Sequence, residues 1–312
     1  MKPLLIIVGP TAVGKTETSI HLAQHLDGEI ISADSMQVYK HMDIGTAKPT
    51  LDERQGIPHY LMDEIDPRES FSVAQFQQKA KQYIDHILSK NKLPIIVGGT
   101  GLYINSIIYN IDFTQTISNW RLRERLEKDA RIHGSEYLHK QLQKFDEEAA
   151  ARIHPNNVKR VIRALEVFLE SGERIKDFKN NLTDNHEYDY TMIGLIRNRD
   201  ELYERINRRV DLLMKEGLVN EVKNLIQLGL DENDISMKGL GYKEVIKYLN
   251  GTYDLEEATR LLKRDTRRYA KRQITWFKRY DKIKWFNLSD YQVQNHLEED
   301  ILKYVEGKFN FV

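Results

Sequence analysis

The sequence predicts an α/β protein whose parallel-sheet core carries a phosphate-binding loop, is interrupted by a helical insertion and is completed by C-terminal helices. Three observations predict it. The apolar run Leu4–Val8 opens directly into Gly9-Pro10-Thr11-Ala12-Val13-Gly14-Lys15-Thr16, a full match to G-x-x-x-x-G-K-[ST]. Buried-type strands then alternate with amphipathic helices over about the first hundred residues, as βαβ units require. Beyond residue 112 the strand signals largely stop and helical periodicity takes over.

Each element has a local reason. Leu4–Val8 is a continuous apolar strand, and Thr16–Leu26 is a helix ending near Gly28. Glu29–Asp34 is a short strand that ends in an acid, followed by a polar segment punctuated by Gly45, Pro49, Pro58 and Pro67. Ser72-Val73-Ala74-Gln75 has the form of a capping box. It opens a helix with Phe76, Ala80, Tyr83, Ile84, Ile87 and Leu88 on one face. Leu93–Val97 is another buried-type strand, closed by Gly98-Gly99-Thr100-Gly101, and a further helix starts at Leu102. Arg121–His133, Ser135–Lys144 and Asn157–Ser171 read as three consecutive helices, and residues 172–190 as polar loop. Thr191–Ile196 can return as a strand, and Asp200–Glu216, Val219–Gln227 and Leu255–Lys282 supply later helices. The expected divisions are residues 1–112 as the first part of the core, 113–190 as the helical insertion, and 191–312 as core completion with basic C-terminal helices.

Composition narrows the classes of function. The chain has 312 residues, enough for one large or two modest domains. No apolar stretch approaches membrane-spanning length, and the N-terminus enters a strand at once, which reads as no signal peptide and no membrane partner. Cysteine is absent, which excludes disulfides, thiolate zinc sites and cysteine nucleophiles, and fits a cytoplasmic protein. The net charge is zero, but its distribution is uneven.

The chemistry-bearing residues gather at strand ends, where open α/β sheets bind ligands. In Gly9–Thr16 the backbone N–H groups turn toward phosphate oxygens, Lys15 supplies a point charge and the Thr16 hydroxyl suits Mg²⁺. Asp34 can act as general base, as metal support or as a turn cap. Thr100 aims a hydroxyl at the same crevice, or simply caps the turn after its strand. The chain shows no second acid of the kind that triphosphate hydrolases place at a strand end.

From Arg260 to Lys284 eleven Lys/Arg face two Asp, and Arg260, Lys263, Arg264, Arg267, Arg268, Lys271 and Arg272 follow helical spacing. Tyr269, Trp276, Phe277 and Tyr280 interleave, a pattern suited to a phosphodiester backbone with bases to stack or a core to fill. Smaller basic sets occur at Lys159, Arg160 and Arg163 and at Arg205, Arg208 and Arg209. One arginine of the latter set can clamp a leaving group in the crevice, and spacing does not select between Arg205 and Arg209. The histidines show no metal-ligand spacing.

Several blocks together resemble the bacterial tRNA dimethylallyltransferases, also called tRNA isopentenyltransferases. They are GPTAVGKT at 9–16, ISADSMQVYKHMDIGTAKP at 31–49, GIPHYLMDEIDP at 56–67, PIIVGGTGLY at 94–103, ARIHPNNVKRVIRALEV at 151–167, GYKE at 241–244 and AKRQITWFKRY at 270–280. The likeness runs in order along nearly the whole chain, departing from the family pattern at Asp112–Trp120. It implies transfer of a dimethylallyl group from dimethylallyl diphosphate to N6 of the adenosine beside the anticodon of tRNA, with Mg²⁺. It further implies that Gly9, Pro10, Thr11, Ala12, Val13, Gly14, Lys15 and Thr16 bind diphosphate, with Thr16 on the metal. Asp34, Thr100 and Arg205 become the catalytic set. Asp34, Ser35, Met36, Gln37, Thr100 and Arg123 fall on tRNA-contacting segments. So do Lys159, Arg160, Val161, Ile162, Arg163, Gly241, Tyr242, Lys243, Glu244, Lys271, Arg272, Gln273, Trp276 and Lys278. The insertion becomes the part that grips the anticodon stem-loop, and the protein is expected to be a monomer. On this reading the Gly9–Thr16 loop, which also fits an ATP site, holds the diphosphate of a prenyl donor. An adenylate dimethylallyltransferase or a small-molecule kinase uses the same loop but leaves the basic aromatic helix unexplained, and an RNA-binding NTPase lacks its second acid.

Overall fold

The strand at the centre of the sheet is the most apolar one, and this sets the layering. A computed structural model describes the whole chain except residues 112, 114–118, 176–181, 292–293 and 310–312. It divides into two compact units, one made of Met1–Ile108 with Asn185–Val312, the other of Tyr109–Asp184.

The first unit is built on six parallel strands: β1 Lys2–Val8, β2 Gly28–Ser32, β3 His59–Tyr60, β4 Leu93–Gly98, β5 Tyr188–Ile196 and β6 Ile283–Asn287. Their order in the sheet is β3-β2-β4-β1-β5-β6. Leu4–Val8 is wholly buried, as a strand covered on both faces must be. In register, Ile7 sits beside Val97 of β4 and Ile193 of β5. Around the sheet pack α1 Lys15–His25, α2 Val73–Ser89 and α3 Gly101–Ile108. The sheet's alternate residues Leu5, Ile7, Ile95, Val97, Ile193 and Leu195 share one core with Leu22 and Ala23 of α1. The capping box of α2 is present, with Ser72 and Gln75 satisfying each other's backbone.

The second unit carries its own helices, α4 Trp120–His133, α5 Ser135–Phe145, α6 Glu147–Arg152 and α7 Val158–Ser171. Its separate core includes Leu122, Leu126, Leu138, Leu142, Val161, Ile162 and Leu165. The chain returns to the first unit earlier than the expected residue 190. Asn185 donates its backbone N–H to the Ile108 carbonyl and its side-chain amide to the Ile107 carbonyl, 3.0 Å away, and β5 already starts at Tyr188.

The remaining helices are α8 Arg199–Glu216, α9 Leu218–Gln227, α10 Tyr242–Leu249, α11 Leu255–Phe277 and α12 Gln294–Glu306. The helix expected over Leu255–Lys282 stops at Phe277. Beyond it, β6 buries Ile283 and Phe286 on opposite faces and leaves Lys284 exposed, a short edge strand without clean alternation in a lysine-rich stretch. No helix among the described residues is long and apolar enough to cross a membrane.

Ile7 lies at the middle of the sheet with no exposed surface. Ile7→Ala is expected to destabilise the first unit by about 2–5 kcal/mol, read from its transition in urea.

Candidate active site

Val8 pairs with Gly98, and Ser32 with Val97, so the segments leaving β1, β2 and β4 emerge together. They form one crevice, lined by Lys15 and Thr16, by Asp34 and Gln37, and by Gly98. Arg209 of α8 and Tyr269 and Gln273 of α11 complete its wall. A second depression, beside β6 and α12, balances Asp290 and Asp300 against Lys284 and Lys303 and gathers no phosphate-binding motif.

The loop Gly9–Thr16 is held from several sides. Gln273 accepts the Thr11 N–H through Oε1 at 2.9 Å and donates Nε2 to the Gly99 carbonyl at 3.1 Å. It thereby ties the loop after β1 to the loop after β4. Arg205 Nε donates to the Ala12 carbonyl at 3.0 Å, and Arg197 Nε to the Val13 carbonyl at 2.9 Å. Lys15 Nζ donates to the carbonyls of Gly9 and Pro10 at 3.0 and 2.8 Å. The close approach of α11 requires glycine at two positions. A Cβ on Gly99 would lie 2.0 Å from Gln273 Nε2, and one on Gly101 would lie 2.1 Å from Trp276 Nε1.

Asp34 caps its own turn, its Oδ1 accepting the N–H groups of Met36 at 2.8 Å and Gln37 at 3.4 Å. Its Oδ2 makes no hydrogen bond among the described residues, so one oxygen is anchored while the other is available to a ligand. Capping and a chemical role are therefore compatible. Gln37 accepts from Ser32 Oγ at 3.0 Å and donates to the Thr46 carbonyl at 3.3 Å, which fixes its amide in the wall.

Charge in the crevice is concentrated. Burial lowers the Lys15 ammonium to about 8; Asp34 opposes that shift and Arg209 adds to it. Burial likewise holds Arg209 below its usual range, against the pull of Asp34. The Tyr269 phenol is pushed up to about 12, first by burial and then by Asp34. Thr100 Oγ1 is buried without a partner of full hydrogen-bond geometry, although it lies near enough to Tyr269 to lower that phenol slightly.

The structure separates the two arginines that spacing left open. Arg209 lines the crevice, with Nη2 donating to the Ala47 carbonyl at 3.3 Å, whereas the exposed Arg205 braces Ala12. Arg209 is thus the arginine of this pair in the crevice wall, while Arg205, which the resemblance implies for the leaving group, holds the loop at Ala12.

The expected RNA-contacting set is also narrowed. Val161 and Ile162 are buried in the core of the second unit, so their side chains cannot reach a ligand. Arg123 and Arg163 both bond the wholly buried Glu166, at 2.7 and 2.6 Å. Burial raises that carboxyl, and the two arginines outweigh it and hold it low. Of Gly241–Glu244 only Lys243 is exposed. Tyr242 and Glu244 are buried, and Glu244 accepts the Gly241 N–H at 2.8 Å. Gln273 is internal, and Trp276 spends its N–H on the Tyr280 hydroxyl at 3.0 Å.

The basic helix proves to be divided. Arg260 pairs with Glu257, Lys263 with Asp211, and Arg264 with Asp265. Lys271, Arg272 and Lys278 are exposed and have no acidic partner among the described residues. Lys159 and Arg160 are likewise exposed on α7.

Sequence reasoning missed Gln273 and Tyr269 as walls of the crevice. Gln273 carried a readable signal, since it falls with Ala270 and Phe277 on the buried stripe of α11, a polar residue at a core position. Arg197 and Glu221 gave no comparable local sign.

Known proteins resemble this chain over nearly its whole length. The model of the IPP transferase family matches residues 37–280. A tRNA dimethylallyltransferase of Alkaliphilus oremlandii is 62% identical over 309 residues, 99% of each chain. The one of Clostridioides difficile is 55% identical over 304 residues, 97% of each chain. Among solved structures, the tRNA isopentenylpyrophosphate transferase of Bacillus halodurans superposes with a TM-score of 0.75 at 46% identity, covering 99% of this chain and 97% of that one. A eukaryotic dimethylallyltransferase acting on tRNA superposes with a TM-score of 0.79 at 30% identity, covering 93% of this chain and 75% of that one.

Lys15 offers a test of the crevice electrostatics. Its folded pKa, about 8, lies below the ordinary 10.5, so the penalty is complete below pH 8 and is relieved as pH rises toward 10.5. Lys15→Met is expected to raise the thermal midpoint at pH 7 by a few degrees, with the gain shrinking toward pH 10. Calorimetry with added pyrophosphate should raise the midpoint of the native chain and not that of the variant.

Proposed function

The chain belongs to the IPP transferase family, and from that premise we propose that it transfers a dimethylallyl group from dimethylallyl diphosphate to N6 of the adenosine adjacent to the anticodon of tRNA, releasing diphosphate. It is a prenyltransferase acting on tRNA. The observation that carries the reading is the meeting of the phosphate loop, the lone carboxylate of Asp34 and the guanidinium of Arg209 in one crevice.

An exocyclic adenine amine is a weak nucleophile and sheds its proton as the new bond forms. The N6–C1 bond forms, the C1–O bond breaks with its electron pair passing to diphosphate, and the N6 proton passes to Asp34. The anchored Oδ1 orients the carboxylate, leaving Oδ2 to accept that proton. Charge developing on diphosphate is met by Lys15, the amides of Gly9–Thr16 and Arg209, all fixed before the reaction starts. The buried Thr100 hydroxyl, next to Tyr269, would support the base from behind that crevice wall. Gln37 and Tyr269 hold the base, which must leave its stack to reach them.

The donor set fits Mg²⁺. Magnesium bound to a diphosphate takes most of its oxygens from phosphate and water and needs only one or two from protein, which the Thr16 hydroxyl in this crevice would supply. The ion would neutralise charge on the leaving group.

Lys271, Arg272 and Lys278 suit the phosphates of the tRNA, as do Lys243 and, on the second unit, Lys159 and Arg160. Ser35 and Met36 flank Asp34 and suit contact with the base. A tRNA substrate supports a cytoplasmic location.

Mass spectrometry of unmodified tRNA incubated with dimethylallyl diphosphate is expected to show the prenyl adduct; an adduct on AMP alone would overturn the tRNA reading. Asp34→Ala is expected to lower turnover by about 10²–10⁴-fold with tRNA affinity nearly unchanged. Lys271→Ala should weaken tRNA binding and reduce its salt slope by about one. Arg209→Ala should raise the KM for dimethylallyl diphosphate more than Arg205→Ala does, and the reverse order in steady-state kinetics would return the clamp to Arg205.

A further inference from the structure

The buried carboxylate of Glu221, in the first turn of α9, is used by none of the steps above. Its Oε2 accepts the N–H groups of Asp43 at 2.8 Å and Ile44 at 2.7 Å, and its Oε1 accepts that of Gly45 at 3.0 Å. The Tyr242 hydroxyl donates to Oε1 at 2.8 Å from α10. Four donors on one side chain leave the carboxylate well satisfied in its buried place. Three of them are successive amides of a single turn, so the turn cannot shift without leaving a buried charge unpaired.

That turn carries two crevice contacts. The Ala47 carbonyl receives Arg209 Nη2 at 3.3 Å, and the Thr46 carbonyl receives Gln37 Nε2 at 3.3 Å. Ala47 has φ of 46°, a conformation a non-glycine residue keeps only when its surroundings hold it. Gly45 permits the packing, since a Cβ there would lie 2.6 Å from the Tyr242 ring. Two chain-distant segments, α9 and α10, thus converge on a turn whose other face meets the donor site.

We propose that Glu221, braced by Tyr242, is a positioning residue for the diphosphate site, setting the Ala47 carbonyl that orients Arg209, while Gln37 keeps its second anchor at Ser32 Oγ. This rests on the reading of Arg209 as the leaving-group clamp. Glu221→Gln replaces one acceptor by a donor facing backbone N–H groups, so the turn must move. The expected result is a KM for dimethylallyl diphosphate raised about tenfold with the KM for tRNA nearly unchanged. In the Arg209→Ala background Glu221→Gln should add almost nothing, because the two act through one contact. Hydrogen exchange of the Asp43, Ile44 and Gly45 amides should quicken about tenfold in Glu221→Gln, a readout independent of activity. Tyr242→Phe removes a single bond and gives the same pattern in milder form should Glu221→Gln fold poorly. Additive losses in the double variant, equal rises in both KM values, or unchanged amide exchange would overturn the positioning role alone. An Arg209→Ala variant with normal donor kinetics would overturn the clamp and this role together.

Discussion

Holding eight residues of loop in a shape that presents amides to a dense negative charge is the constraint on which the rest of this structure depends. Such a loop gives its own carbonyls few partners, and here the rest of the chain provides them. Arg197 and Arg205 take the carbonyls of Val13 and Ala12, while Gln273 takes the Thr11 amide and links it to Gly99. The loop is thereby set by α8 and α11, residues far along the chain, as much as by its own glycines. Preorganised dipoles cost no reorganisation when charge develops, which is why a reaction whose main demand is a good leaving group can rely on them.

The same economy governs charge. A chain with zero net charge has no general pull on a polyanion, so its free cations must be placed. Carboxylates such as Asp211, Asp265 and Glu166 engage the arginines and lysines around them. What is left unpaired on α11 lies toward its C-terminal end, at Lys271 and Arg272, on the helix that also sends Tyr269 and Gln273 into the crevice. The free cations and part of the crevice wall thus belong to one rigid helix, so a displacement of α11 moves both.

Much of the fold was legible because it is local. The strand at Leu4–Val8, the phosphate loop after it and the capping box at Ser72 depend on neighbours within a few residues, and sequence carries such signals directly. β6 was missed because its five residues lie within a cationic stretch and show no clean alternation, and α6 because six residues give too little periodicity. The crevice was legible in its ends, the loop Gly9–Thr16 and Asp34, since these follow strands. Its walls were not. Gln273 shows in the sequence as a polar residue on the Ala270–Phe277 stripe, but not what it ties together, and Val161 and Ile162 were carried into an RNA-facing set although their side chains fill the core of the second unit.

By itself the sequence determined the phosphate loop, the parallel-sheet core, the acid at the strand end and the family, because each resides in contiguous residues or in their order. Tertiary structure alone decided that Arg209 rather than Arg205 enters the crevice, that half of the basic stripe is neutralised, and that Glu221 fastens the turn at 43–45. Arg205 and Arg209 lie one helical turn apart on α8, and only the packing of that helix against the loop and the Ala47 turn separates their roles. Such distinctions are distances between residues far apart in the chain, and no local pattern encodes them.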